Sequence, residues 1–470
     1  MRKKTKIIAT ISDRNCSPEL ITQMFNNGLN VVRLNTAHQD FEGSLKVINS
    51  VRAVSDKIAI MIDTKGPEIR TIDLKNPIPV EENDLITVKG IGLENNLKNC
   101  LYLSYKKIAK DVKVSDRLLI NDGDVELEII KKDADSLICK VLNNGLIENH
   151  KSINIPGVTI NLPALTPRDI EYINFAIEND IDFIAHSFVR RKEDVIAVKS
   201  ILESRGSKIK IIAKIENQEG VNNIDEILEY ANGIMVARGD LALEIPTEKI
   251  PNIQKIIINK CIKLGKPVIV ATQMLHSMIT NPRPTRAEVS DVANAVYDGT
   301  DAIMLSGETA NGKYPLESVI MMTKIAKEVE SNNNSFKDIS INMLSTPEAE
   351  VLTKYIVQAA EKLPMAAIIS DTTSGRTIRA LASYRGKVTI YAQCYSKHTM
   401  RELAMSYGVF VDYMKPTKTS HEFLTQALKR LIKKKTFNLN NTIGVIAGNF
   451  GRAGGASYIE ISTVKNLLNE

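Results

Sequence analysis

Eight short runs of β-branched and aliphatic residues, at 6–11, 30–35, 58–63, 182–188, 210–216, 233–240, 267–273 and 301–308, set the strongest limit on how this chain folds. Each is almost continuously apolar, as a parallel strand covered on both faces must be, and each gives way to a polar residue. Between them, segments 17–28, 41–55, 167–180, 192–206, 221–232 and 249–265 carry apolar residues three or four apart, the pattern of amphipathic helices. Right-handed βαβ units join such elements, and eight strands close a barrel. The spacing predicts a (β/α)8 TIM barrel.

The rhythm breaks once. Roughly a hundred residues separate the third run from the fourth, far more than a βα loop holds, so a domain is inserted there. Across 70–162 the pattern alternates with period two, as in Leu85-Ile86-Thr87-Val88 and Val125-Glu126-Leu127-Glu128-Ile129, with turns at Asp122-Gly123 and Asn144-Gly145. A small β-barrel or sandwich is expected. After the eighth run come a helix near 315–331, the polar stretch Asn332-Asn333-Asn334-Ser335, and a new α/β series from about Glu350. Its expected strands are 366–370, 388–393, 409–413, 442–447 and 458–462. The expected division is a barrel domain of 1–69 and 163–335, an inserted β-domain of 70–162, and a C-terminal α/β domain of 345–470.

Charge and cysteine usage exclude several classes. The 61 basic and 55 acidic residues leave a net +6, and no basic stretch is interleaved with aromatics, so a nucleic-acid partner is not expected. The run Lys433-Lys434-Lys435 reads as a solvated helix end. The five cysteines form an odd set without CxxC spacing, which implies neither a disulfide framework nor a thiolate zinc site. A reducing compartment follows. The charged start runs into a short strand and no window reaches membrane-spanning length, so a cytoplasmic protein with no membrane association is expected.

Catalytic groups of a βα barrel collect at the carboxyl ends of its strands. Here those positions hold Arg33 and Asn35, Asp63, Ser187, Lys214 and Glu216, Arg238 and Asp240, Thr272 and Gln273, and Ser306 with Glu308. Any single polar residue there is ordinary, since strands must exit to solvent; seven successive decorated strands are not. Glu216 and Asp240 offer hard oxygen ligands of the kind that hold Mg²⁺ together with substrate oxygens. Arg33 and Lys214 offer positive charge. Lys214 and Glu216 are two apart on one side of a strand, so a plain salt bridge is the competing expectation. A lysine beside a metal carboxylate suits phosphoryl transfer, which depends on positioning and charge compensation. Gly239 lets backbone N–H groups approach an anion at the start of a helical stretch, and Thr272 donates to a carboxylate, delivers a proton, or merely caps its strand. The six histidines show no HExxH spacing, and no GxSxG elbow, Walker loop or suitably placed GxGxxG occurs.

Longer motifs carry a resemblance. Asp63-Thr64-Lys65-Gly66-Pro67-Glu68-Ile69-Arg70, Lys214-Ile215-Glu216-Asn217, Met235-Val236-Ala237-Arg238-Gly239-Asp240-Leu241, Ala271-Thr272-Gln273-Met274-Leu275, the stretch from Pro282 to Ala295, and Ile303-Met304-Leu305-Ser306-Gly307-Glu308-Thr309-Ala310 all resemble the pyruvate kinase family, in this order. The resemblance is strong from Lys6 to about Pro315 and weaker beyond. It implies a barrel with a small β-barrel lid and an α/β regulatory domain, conversion of phosphoenolpyruvate and ADP to pyruvate and ATP, Mg²⁺ (or Mn²⁺) and usually K⁺, and a homotetramer.

By that resemblance, Glu216 and Asp240 bind the divalent ion, Lys214 stabilises the migrating phosphoryl group, and Arg33 contacts phosphate. Gly239, Asp240 and Thr272 hold substrate, and Thr272, Ser306 and Glu308 belong to the relay that protonates the enolate. Asn35, Asp63 and Thr64 match K⁺ ligands, Glu68 matches the potassium-dependent form, and Asn35, His38, Arg70 and Lys151 are the nucleotide contacts. Two departures stand out. Ala37 replaces a hydroxyl ligand of the K⁺ site, so that water fills the place or K⁺ affinity falls. Asp13 stands in a segment expected to flank the nucleotide, where a carboxylate opposes diphosphate oxygens unless a metal or Arg70 compensates. Thr372, Thr373, Ser374, Gly375, Arg376 and Thr377 resemble the family's sugar-phosphate effector loop, with a plain N-cap series as the competing reading and a nucleotide as the other effector class. The loop 448–455 departs from better-known effector loops. Two alternatives accompany this reading: another phosphoenolpyruvate or pyruvate barrel enzyme of the aldolase or dikinase kind, and a non-catalytic regulatory homologue.

Overall fold

The fold is described from a computed structural model, covering residues 2–91, 100–332, 336–341, 343–344, 346–417, 419–448 and 455–468. Eight parallel strands close a barrel in sequence order: Lys6–Thr10, Leu29–Asn35, Ala59–Asp63, Phe183–His186, Lys210–Ile215, Gly233–Ala237, Val268–Ala271 and Ala302–Leu305. They are called the first to eighth barrel strands below. The sequence-derived ranges overrun several carboxyl ends. Residues 238–240 belong to helix Arg238–Glu244 rather than to the sixth strand, and 307–308 to the short helix Gly307–Ala310 rather than to the eighth. Thr272 and Gln273 leave the seventh strand with φ of 69° and 53°. The mouth is thus built by chain that has already turned out of the sheet.

The outer helices start where local chemistry stops the strands. Thr166 and Asp169 form a reciprocal capping box on Pro167–Glu178, and Thr285 and Glu288 do the same on Arg286–Tyr297. The segment read as one helix over 221–232 is two, Gln218–Asn222 and Ile224–Tyr230. Within the insertion, seven described strands close a second barrel around Leu101, Leu118, Leu127 and Leu137, and Ile78–Val80 pairs with Gly145–Ile147 beside it. A closed barrel leaves no free edge, which decides between the two expected β architectures.

The C-terminal domain holds a described five-stranded sheet, with Met365–Thr372 at its centre and Tyr458–Thr463 antiparallel at one edge. Asn333, Asn334 and Ser335 of the expected linker, and most of the 448–455 loop, lie outside the described residues. Lys433 ends helix Ser420–Lys433, and Lys434 pairs with Asp412 at 2.8 Å. All five cysteines are buried and free.

This domain closes the barrel floor. Ala404 and Met405 join the cluster of barrel-interior residues that includes Ile8, Met61, Phe183, Met235 and Met304. Around them two buried arginines reach the amino-terminal ends of barrel strands. Arg385 pairs with Asp301 at 2.7 Å and donates to Gly299 O at 2.9 Å, while Arg401 pairs with Asp182 and Asp180, each at 2.6 Å. Removing one partner of a buried pair leaves the other charge without compensation. Arg385→Ala should therefore lower stability by about 3 kcal/mol, measured from the urea midpoint, whereas a shift within error would show that Asp301 is satisfied by its backbone donors alone.

Candidate active site

Arg33, Asp63, Lys214 and Glu216 form one buried cluster at the barrel mouth. Asn35 and Asp63 occupy paired positions at the ends of the second and third strands. Arg33 Nε donates to Asp63 Oδ2 at 2.6 Å, and a second guanidinium nitrogen donates to Thr10 Oγ1 at 2.9 Å. Lys214 Nζ lies 3.1 Å from Asp63 Oδ1, 2.9 Å from Glu216 Oε1 and 2.8 Å from Ser187 Oγ. Its three protons are all engaged. Glu216 Oε2 accepts from Phe188 N at 2.6 Å. The salt bridge expected of the Lys214–Glu216 spacing is therefore present, but as one contact of a larger network.

The electrostatics follow from burial and neighbours. Burial alone would raise the Asp63 pKa, but Arg33 and then Lys214 outweigh it and hold the carboxyl below its usual range. Burial would lower Lys214, yet Asp63 and Glu216 more than reverse this and keep the ammonium charged. Glu216 is pushed up to about 7, by burial first, with Lys214 opposing and Asp240 adding to the rise. Burial likewise raises Asp240. Two cations and three carboxylates leave one excess negative charge. Two carboxylates that hold protons unusually well, Glu216 buried and Asp240 half-buried, are short of positive charge, and their hard oxygens fit a divalent cation completed by substrate oxygens. Among the described residues no group of three His, Cys, Asp or Glu side chains is arranged around one metal point, so the protein alone does not close the shell.

The rest of the mouth is organised by backbone contacts. Thr272 Oγ1 accepts from Gly239 N at 2.8 Å and donates to Ala271 O at 2.6 Å, so it does cap its strand. A Cβ on Gly239 would lie 3.4 Å from Thr272 Oγ1, ordinary contact, so the protein's own packing does not demand glycine there. Arg238 pairs with Asp291 at 2.7 Å and donates to Thr272 O at 2.9 Å, fixing the strained turn. Glu308 accepts from Ser306 N at 2.7 Å and Leu275 N at 3.1 Å, which directs both its oxygens at backbone rather than at Thr272. Thr64 Oγ1 accepts from Ser187 N at 3.1 Å, and Asn35 Oδ1 accepts from Ala37 N at 3.2 Å. His186 is a core residue: burial pushes it down to about 4, and its ring nitrogens have no hydrogen-bond partner among the described residues.

A cleft of about 720 Å³ opens between the barrel mouth and the inserted domain and includes Asp240, His38, Arg70 and Lys151. Asn35 is not on its wall. Arg70 pairs with Glu68 at 2.6 Å and donates to His150 O at 2.7 Å, and Lys151 pairs with Glu148 at 3.0 Å. Asp13 is exposed and does not line the cleft. Sequence reasoning did not single out Asn121, Asp122, Asn149 or Glu244, which also line it; the Asp122-Gly123 turn was the available signal for two of them. Glu244 is pushed up to about 7 by burial and accepts from the Gly157 backbone, where the chain returns from the inserted domain.

The six residues 372–377 lie in the floor-side domain, away from the barrel mouth. Thr372 Oγ1 accepts from Gly375 N at 2.8 Å, Thr373 O accepts from Thr399 Oγ1 at 2.8 Å, and Ser374 O accepts from Arg379 at 3.3 Å. Gly375, at φ 79°, precedes helix Arg376–Ser383, which contains Arg376 and Thr377 and has no side-chain cap.

A buried ammonium held among carboxylates at the mouth of a (β/α)8 barrel, beneath an inserted β-barrel, has the placement of a barrel enzyme's active site and the charge to face an anion. Comparison with known proteins makes the class specific. The family profile described as pyruvate kinase, barrel domain, matches residues 2–319, and pyruvate kinase, alpha/beta domain, matches 350–462. A pyruvate kinase of Borreliella burgdorferi is 47% identical over 474 residues, covering 99% of this chain and 98% of that protein. Those of Bacillus licheniformis and Clostridium acetobutylicum are each 42% identical, covering 99% and 95% of this chain and 81% and 96% of their own lengths. The chain belongs to the pyruvate kinase family and is a phosphotransferase, which sets aside the aldolase and dikinase alternatives. No helix among the described residues is long and apolar enough to cross a membrane.

Asp63 alone stands between two cations, so Asp63→Asn should release the Lys214 pKa downward. The wild type should show no alkaline limb from Lys214 below about pH 10; in the variant a limb should enter that range, and kcat against pH measures it.

Proposed function

We propose that the chain converts phosphoenolpyruvate and ADP to pyruvate and ATP, the last step of glycolysis, with Lys214 as the charge partner of the migrating phosphoryl group. The observation that carries this reading is the Lys214 Nζ position, within 3.1 Å of Asp63, Glu216 and Ser187 and beside Asp240. Glu216 and Asp240 would hold Mg²⁺ or Mn²⁺, and such an ion supplies charge neutralisation and orientation of phosphate oxygens. It would turn the cluster's one excess negative charge into one excess positive charge, suited to an incoming phosphate.

Arg33 is the second phosphate contact, held at its Nε by Asp63 with another nitrogen on Thr10. Gly239, Asp240 and Thr272 bind the carboxylate substrate, where the glycine leaves room. Thr272, with Ser306 and Glu308 behind it, delivers the proton to the enolate; Glu308 acts by fixing the Ser306 backbone. Asn35, Asp63 and Thr64 are the K⁺ ligands, with the Ala37 site completed by water or weakened. Asn35, His38, Arg70 and Lys151 are the nucleotide contacts, the last three on the cleft wall.

The domain division at 70, 162 and 345, a cytoplasmic location, a homotetramer, and a sugar-phosphate or nucleotide effector at 372–377 complete the reading. Pure protein with phosphoenolpyruvate, ADP, Mg²⁺ and K⁺ should form pyruvate, and Lys214→Met should lower kcat about 1,000-fold while Mn²⁺ binding persists. Unchanged turnover in that variant would refute the role of Lys214. Replacing K⁺ by Na⁺ in the same assay should lower the rate; an equal rate would remove the K⁺ assignment.

A further inference from the structure

Ser187 and Phe188 occupy the turn after the fourth barrel strand, and between them they touch both members of the Lys214–Glu216 pair. Ser187 is 2% exposed, so its hydroxyl must find its partners inside the protein. Its oxygen lies 2.6 Å from Thr64 O and 3.3 Å from Asp63 Oδ1. A hydroxyl has one proton, and the shorter contact takes it. The lone pairs are left for Lys214 Nζ at 2.8 Å. Ser187 N donates to Thr64 Oγ1 at 3.1 Å, so Ser187 and Thr64 lock each other across neighbouring strands.

Phe188 then turns into the left-handed region at φ 54°, costly for an aromatic residue, and this turn aims its N–H at Glu216 Oε2, 2.6 Å away. The chain opposite makes room. Gly66 has φ 73°, and a Cβ there would sit 2.8 Å from both Ser187 Cβ and Phe188 Cδ2.

We infer that Ser187 is a positioning residue for the phosphoryl transfer: its hydroxyl, oriented by Thr64, is the neutral third acceptor that fixes where the Lys214 ammonium points. Asp63 and Glu216 hold the charge of Lys214 on two sides, and Ser187 takes the remaining N–H, so that the ammonium has a full set of three acceptors in one fixed arrangement. Being neutral, Ser187 yields that N–H to a phosphate oxygen at little cost.

The inference rests on the role of Lys214 proposed above, and a double-mutant cycle separates the two. Ser187→Ala should lower kcat about 10- to 100-fold, with KM for phosphoenolpyruvate moved less than about 3-fold and the thermal midpoint nearly unchanged. On a Lys214→Met background, assayed at high enzyme concentration, Ser187→Ala should cost less than about 2-fold more. Ser187→Cys, which keeps the shape and offers a poor acceptor, should match the alanine variant and serves if that variant folds badly. An equal loss on both backgrounds, rescue by cysteine, or a kcat within about 3-fold of wild type would overturn the inference. If Lys214→Met itself is unimpaired, the reading of Lys214 fails instead.

Discussion

The structure turns on one buried carboxylate. Asp63 faces Arg33 with one oxygen and Lys214 with the other, at 2.6 and 3.1 Å. Without it two cations would share a buried part of the barrel mouth and repel each other; with it they form a fixed pair of positive poles whose spacing is set by two barrel strands. Preorganised charge of this kind needs no rearrangement when substrate charge develops, and phosphoryl transfer depends on that property. Glu216 and Asp240 also act on Lys214, so one ammonium is shared by three carboxylates.

Several strands that carry the site are also clamped at their opposite ends. The fourth starts after Asp182, bound by Arg401, and ends before Ser187; the eighth starts after Asp301, bound by Arg385, and ends before Ser306. The fifth begins with Lys210, 3.8 Å from Glu402, itself paired with Arg379 at 2.6 Å, and ends at Ile215, between Lys214 and Glu216. Since Arg379 also donates to Ser374 O, the floor-side domain and the mouth share rigid elements.

Much of this was legible in the sequence because doubly buried strands leave an unbroken apolar trace, and eight such traces have few ways to close. The polar residues ending them marked Arg33, Asp63, Lys214 and Glu216, which the fold then brought together. The strand ends were read too long where the last residues turn: Arg238 enters a helix fixed by Asp291, and Thr272 adopts a left-handed backbone that no period-two pattern reveals. Ser187 was visible only as one more polar strand end, because its partners Thr64 and Lys214 lie on other strands. The cleft wall at Asn149 was invisible because turns of the inserted barrel assemble it, and at Asn121 only the neighbouring Asp122-Gly123 turn hinted at it.

The central claim is that Glu216 and Asp240 share a divalent cation beside the Lys214 ammonium. Titrating Mn²⁺ into the wild type, Glu216→Gln and Asp240→Asn, with free Mn²⁺ followed by electron paramagnetic resonance, measures this without any turnover. The account predicts one tight site in the wild type and at least about 10-fold weaker binding in each variant. Equal Mn²⁺ affinity in all three proteins would contradict it.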